Sequence, residues 1–204
     1  MTSTTGRERR TIAGAVAIVL ALVTAFPAIA TNFGSNTASG GTPAHRCDTD
    51  AWSQCIANNG VHLWYPQDLT ANLLAATRNA SATYNAVADV LASEWSSSTG
   101  VDVIVMDEFN NLPNIVAWTQ CKVGAATGGT DPHAYCRPQW LRYDLADTSA
   151  YDTLGERNSI ACQEMGHTLG LRHSSSTSSC MYTFRTTQAG LLATDDTIEL
   201  NAHY

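Results

Sequence analysis

The spacing of apolar residues along the chain predicts three helices. From Leu69 to about Trp95 the apolar positions recur at helical spacing, and Gly100 closes the segment, so one long helix is predicted there. The pattern turns helical again from about Thr153 to Leu169, where Gly170 is expected to end the helix. Cap-type residues before a short apolar pattern predict a final helix over Thr194–Leu200.

Three short segments between the first two helices have the pattern of β-strands. They are Val101–Met106, Ile115–Thr119 and Trp140–Leu145. The first is rich in β-branched residues, which predicts a buried strand. The last alternates apolar and polar residues, which is typical of a half-exposed strand. A connection containing Gly124, Gly128 and Gly129 separates the last two. This order of elements predicts an α+β domain with a twisted mixed sheet.

The N-terminal residues have the pattern of a secretory leader. Basic residues precede an apolar stretch from Ile12 to Phe26, and Pro27 leads into a small-x-small sequence that ends at Ala30. We predict a signal peptide over residues 1–30, although an uncleaved signal anchor is the alternative. Residues 31–44 are rich in Gly, Ser, Thr and Asn, which predicts a flexible linker before a single domain at 45–204. The protein is therefore expected to be secreted and extracellular.

All six cysteines follow the predicted leader. An even number in an exported chain predicts three disulfides, and sequence alone leaves many pairings open. Closeness along the chain favours Cys47–Cys55, Cys121–Cys136 and Cys162–Cys180. A cysteine-based zinc cluster is disfavoured because the chain has no C-x-x-C pair.

The net charge of −7 argues against a nucleic-acid partner. Phosphate binding needs clustered Lys and Arg, and no basic run occurs after the leader. No second segment is long and apolar enough to span a bilayer, so no stable membrane association is expected once the leader is cleaved. The mature protein is expected to be a monomer.

Residues 163–173 (QEMGHTLGLRH) combine the residue types of a metal site with a neighbouring acid. On a helix, Gln163 and His167 lie one turn apart on the same face and can bind one metal ion. Glu164 projects beside that face, where it can deprotonate a water. Gly170 can adopt a left-handed conformation that turns the chain back, so that His173 reaches the same metal.

This stretch resembles the metzincin signature H-E-x-x-H-x-x-G-x-x-H, with Gln163 in place of the first His. The sequence Ser179-Cys180-Met181-Tyr182 is similar to the methionine turn of that family. Its Met-Tyr pair is closest to the matrixin branch, although Thr183 stands where a proline usually follows. The Asp-Asp-x-Ile pattern that begins at Asp195 also resembles the terminal helix of matrixin catalytic domains.

The resemblance implies a metzincin-like zincin domain that binds zinc. It implies His167, His173 and Gln163 as metal ligands and Glu164 as the general base for a metal-activated water. A secreted metalloendopeptidase acting on protein or peptide substrates is the implied function. The alternative interpretation of the motif is an ordinary amphipathic helix that has histidines on its polar face and no metal site.

Gln163 leaves three hypotheses open, because an amide oxygen is a poorer zinc donor than imidazole. In the first, Gln163 coordinates the metal weakly in a working enzyme. In the second, another residue or a water completes the metal site. In the third, the chain is an exported peptide-binding protein without catalysis. The remaining histidines are His45, His62, His133 and His203. Glu164 favours catalysis, since a pure binding module needs no carboxylate beside a metal.

Overall fold

The computed structural model describes residues 56–127, 136–182 and 190–204. The predicted leader, linker and Cys47–Cys55 bridge therefore lie outside the described residues, as does the part of the glycine-rich connection from Gly128 onward. Within the described ranges, no helix is long and apolar enough to cross a membrane.

Among the described residues, five strands form one mixed sheet in the order β2-β1-β3-β5-β4. Their bounds are Val61–Gln67 (β1), Leu91–Glu94 (β2), Val103–Glu108 (β3), Ala117–Thr127 (β4) and Cys136–Asp144 (β5). The neighbouring strands pair in parallel except β4, which runs antiparallel to β5 at one edge. The predicted mixed sheet and its three predicted strands are confirmed.

In the part of the chain that the structure describes, three α-helices accompany the sheet, and one short 3-10 helix precedes the second of them. They are α1 (Ala71–Val87), α2 (Leu154–Leu169) and α3 (Thr194–His203), with the 3-10 turn at Thr148–Tyr151. The second and third helices confirm the sequence prediction, and α1 extensively contacts α2.

The prediction of a single helix reaching Trp95 was wrong at its C-terminal end. The chain leaves α1 after Val87 and pairs with β1 as strand β2. The side-chain amide of Asn85 accepts a hydrogen bond from the Ala92 N–H at 2.7 Å and donates to the Ala92 carbonyl at 2.9 Å. Sheet pairing and this amide together override the helical spacing of the apolar residues.

Strand β1 was missed by the sequence analysis, although it lies inside the sheet between β2 and β3. Its buried face carries a histidine, His62, beside Trp64, and Pro66 lies within the strand, so the sequence lacks a clear apolar alternation. The ring of Trp64 donates to the Ser81 hydroxyl on α1 at 2.6 Å. The buried indole nitrogen of β1 thus finds its partner on a helix that covers the sheet.

Candidate metal centre

Local signals set both ends of α2, the helix that carries the candidate site. Thr153 and Glu156 form a reciprocal capping box, in which the Thr153 Oγ1 accepts from the Glu156 N–H and the Glu156 carboxylate accepts from the Thr153 N–H. Gly170 ends the helix with a φ of 102°, a left-handed conformation that favours glycine. The chain therefore turns sharply before His173, as predicted.

The structure brings His167 and His173 together. Their ring centroids are 5.0 Å apart, and the rings meet edge to face at 69°. One ring comes from the last turn of α2 and the other from the segment after Gly170. The left-handed turn therefore produces the convergence that the sequence spacing predicted.

The His167 ring has one nitrogen bonded to the main chain and one nitrogen without a hydrogen bond. Nδ1 lies 2.7 Å from the Leu171 carbonyl oxygen, which can only accept, so Nδ1 carries the hydrogen. Nε2 is buried and has no hydrogen-bond partner in the described part of the chain. Burial lowers the His167 pKa to about 3, and the nearby His173 adds to this effect. The ring is thus neutral, with a lone pair on a buried nitrogen.

Glu164 is nearly buried, at 4% exposure, and its carboxylate contacts the sheet. The Thr119 hydroxyl on β4 lies 3.0 Å from Oε2 of Glu164. The carboxylate is therefore held on the side of α2 that faces the antiparallel edge strand.

Gln163 is partly exposed, and its amide is bonded to the segment after Met181. Its Nε2 donates to the Tyr182 carbonyl at 3.0 Å. Because the NH₂ group is used in this way, the side-chain oxygen is the atom of Gln163 that remains for a metal or a water.

Met181 packs against α2 at Gly166. It belongs to the segment Ser179–Tyr182, which we call the methionine turn because its sequence resembles that feature. Its side chain is fully buried, and its carbonyl accepts from the Ser174 N–H at 2.7 Å. A Cβ added at Gly166 would overlap the Met181 sulfur and the Tyr84 hydroxyl. Glycine at this position therefore allows the closest approach of the helix to the turn.

Two of the three predicted disulfides are confirmed. Cys162–Cys180 joins α2 to the methionine turn, and Cys121–Cys136 joins β4 to β5. The first bridge leaves α2 one residue before Gln163, so it fixes the helix and the turn next to the candidate ligands.

The turn is also held from α3, by a hydrogen bond between Ser179 and Asp196 that the sequence analysis did not predict. The Ser179 hydroxyl accepts from the Met181 N–H at 2.8 Å and donates to Oδ2 of Asp196. The same Asp196 oxygen accepts from the Ala193 N–H at 2.9 Å, and the Asp196 side chain is fully buried. The sequence indicated a role for Asp196 only through its position in the first turn of a predicted helix, where acidic residues are favoured.

The other histidines do not complete a site in the part of the chain that the structure describes. His62 is buried and its Nε2 donates to Thr168 Oγ1 at 2.7 Å, since that hydroxyl gives its own hydrogen to the Met165 carbonyl. His203 packs against Tyr204. His45 and His133 lie outside the described residues.

Among the described residues, no group of three or more His, Cys, Asp or Glu side chains could hold a metal ion. A metal ion bound by His167 and His173 would therefore need a third ligand. That ligand would be a residue other than His, Cys, Asp or Glu, or it would come from outside the described residues. Gln163 is a donor of another kind that lies on the same helix.

Comparison with protein-family models relates the C-terminal part of the chain to a known family. The matrixin family model matches residues 142–204, from the end of β5 through α3. The match covers just under a third of the chain, and it includes Gln163, Glu164, His167, His173 and Met181. No curated protein matches the chain significantly. The matrixin match supports a metallopeptidase from a zinc-dependent family, which implies protein or peptide substrates.

Proposed function

We propose that the protein is a secreted zinc metalloendopeptidase, in which His167, His173 and Gln163 hold the metal and Glu164 is the general base. The observation that carries the proposal is the buried Nε2 of His167, which lacks a hydrogen-bond partner among the described residues and lies in a ring beside His173. An imidazole whose other nitrogen donates to a carbonyl is the usual form of a metal-ligating histidine.

The donor set fits zinc, which binds imidazole nitrogen and oxygen ligands. The lowered pKa keeps His167 neutral, as ligation requires. The bond from Gln163 Nε2 to the Tyr182 carbonyl restrains the amide, and the amide oxygen is the atom that would bind zinc. A neutral amide oxygen binds zinc more weakly than imidazole does, so a site of reduced affinity is expected.

The mechanism assigns proton transfer to Glu164. Bound zinc would supply a Lewis acid that makes a water more acidic and polarises the substrate carbonyl. Glu164 takes the proton from the attacking water at a carboxylate oxygen and gives it to the leaving amine. Its burial strengthens these electrostatic effects, since few waters compete for the carboxylate.

Secretion is supported by two independent features. The first thirty residues have the pattern of a signal peptide, and two disulfides form within the described part of the chain. Disulfides persist in oxidising compartments, where an extracellular peptidase acts.

The test is metal analysis of the purified protein together with hydrolysis of an unstructured protein such as casein. We expect bound zinc, cleavage that a chelator abolishes, and recovery when zinc is returned. A protein that binds no zinc and cleaves nothing would instead support the alternative, an exported peptide-binding protein on the same fold.

Replacing Gln163 by His is expected to tighten zinc binding by roughly tenfold or more, the scale on which ligand surroundings change metal affinity. The reason is the exchange of a neutral amide oxygen for an imidazole nitrogen on the same face of α2. Zinc affinity is measured by competition with a chromophoric chelator. Gln163→Leu, which has a similar size but no donor atom, should bind zinc more weakly than the wild type. Equal affinities in all three proteins would exclude Gln163 as a ligand.

A further inference from the structure

We propose that Thr119 is a positioning residue for Glu164 and that its hydroxyl holds the Glu164 carboxylate in one orientation. This inference rests on the proposed function, since it gives Glu164 the role of general base. Thr119 belongs to strand β4, in a part of the sequence that the signature does not include and that lies outside the family match.

The geometry places one hydroxyl between two oxygens of the same glutamate. Thr119 Oγ1 lies 3.0 Å from Oε2 of Glu164 and 3.2 Å from its main-chain carbonyl oxygen. Thr119 is fully buried, and its main chain is fixed by antiparallel pairing with Leu141 on β5. The hydroxyl therefore approaches α2 from a rigid sheet rather than from a loop.

The chemistry of a hydroxyl suits a partner of a general base. The single hydrogen of Thr119 points to Oε2, which is a stronger acceptor than the main-chain carbonyl because it is charged. In the proposed mechanism the water gives its proton to the other carboxylate oxygen, Oε1, so the bond from Thr119 to Oε2 need not break. Thr119 neither gains nor loses a proton, so it positions the base without acting as one.

Other buried hydroxyls close enough to feel the Glu164 charge are committed elsewhere. Burial chiefly, with Glu164 among the smaller causes, raises the pKa of Tyr84 and Tyr151, so both keep their protons. Tyr84 donates to the Cys162 carbonyl and Tyr151 to the Val116 carbonyl. Thr119, in contrast, bonds to the carboxylate itself.

The test compares Thr119→Val, which keeps the branched shape and removes the hydroxyl, with Thr119→Ser, which keeps the hydroxyl. We expect Thr119→Val to lower kcat roughly tenfold or more, with KM and zinc affinity little changed, as for loss of an outer partner of a catalytic group. Thr119→Ser should stay within a few-fold of the wild type. Crystal structures of the metal-free proteins should show one Glu164 rotamer in the wild type and Thr119→Ser, and several in Thr119→Val.

Two results would overturn the role of Thr119. One is an unchanged kcat in Thr119→Val, and the other is a Glu164 rotamer that stays single without the hydroxyl. A parallel loss of zinc affinity and thermal stability with no separate effect on kcat would show a purely structural role and also overturn it. If the wild type cleaves nothing, the proposed peptidase fails, and the Glu164 rotamers still decide whether Thr119 positions this side chain.

Discussion

Replacing Glu164 by Gln is expected to reduce peptide hydrolysis at least about a hundredfold, since a positioned general base contributes roughly 10²–10⁴-fold. Glutamine has the size of glutamate and can still accept from the Thr119 hydroxyl, which bonds to Oε2 in the native protein. It cannot take a proton from water. The measurement is kcat/KM on a fluorescence-quenched peptide, with zinc content determined on the same sample. Zinc content should stay at the wild-type level.

Glu156→Gln is the matched control, because it makes the same substitution on the same helix. Glu156 lies in the capping box at the start of α2, and glutamine is also accepted at that position. Its hydrolysis should equal that of the wild type within a few-fold. If Glu164→Gln kept more than a tenth of the wild-type activity, Glu164 would not be the base, even with zinc bound.

Removing the Cys162–Cys180 bridge by replacing both residues with Ala is expected to lower the free energy of unfolding by about 3 kcal/mol, the value for loops of this size. The bridge closes a separation of 18 residues and joins α2 to the methionine turn. Denaturant unfolding under non-reducing conditions measures the loss. Zinc affinity should fall as well, because the helix is no longer fixed to the turn beside Gln163.

The Cys121–Cys136 pair provides a control of similar loop size. It closes a separation of 15 residues, so its removal should cost about the same free energy of unfolding. It joins β4 to β5 rather than α2 to the methionine turn, so zinc affinity should change little. If both double variants lost stability and neither lost zinc affinity, the Cys162–Cys180 bridge would have no specific role at the metal site.

The ends of α2 could be predicted from sequence because their signals are local. Thr153 and Glu156 lie three residues apart, and Gly170 needs no distant partner to adopt its left-handed φ. The convergence of His167 and His173 follows from these ends and from helical geometry. The proximity of these two rings was therefore accessible from spacing alone.

Strands β1 and β2 could not be predicted in this way. The residues that fix them come from elsewhere in the chain: Asn85 binds the main chain of Ala92, and His62 on β1 donates to Thr168 on α2. A helical apolar pattern persists through β2 even though sheet pairing decides its conformation. A local sequence pattern does not predict the secondary structure where tertiary contacts outweigh the intrinsic propensity of the residues.

The surroundings of the site were hidden from sequence for the same reason. Thr119 lies 45 residues before Glu164, and Ser179 lies 17 residues before Asp196. A single hydroxyl in a strand or a loop carries no periodic signal. Spacing therefore located the candidate ligands, and side-chain hydrogen bonds between distant segments revealed what orients them.

The bond between Asp196 and Ser179 has a consequence for shortened forms of the chain. A chain cut before Asp196 would keep both imidazoles, yet the Ser179 hydroxyl that accepts from the Met181 N–H would lose its carboxylate partner. Such a truncation should therefore loosen this segment without removing either histidine.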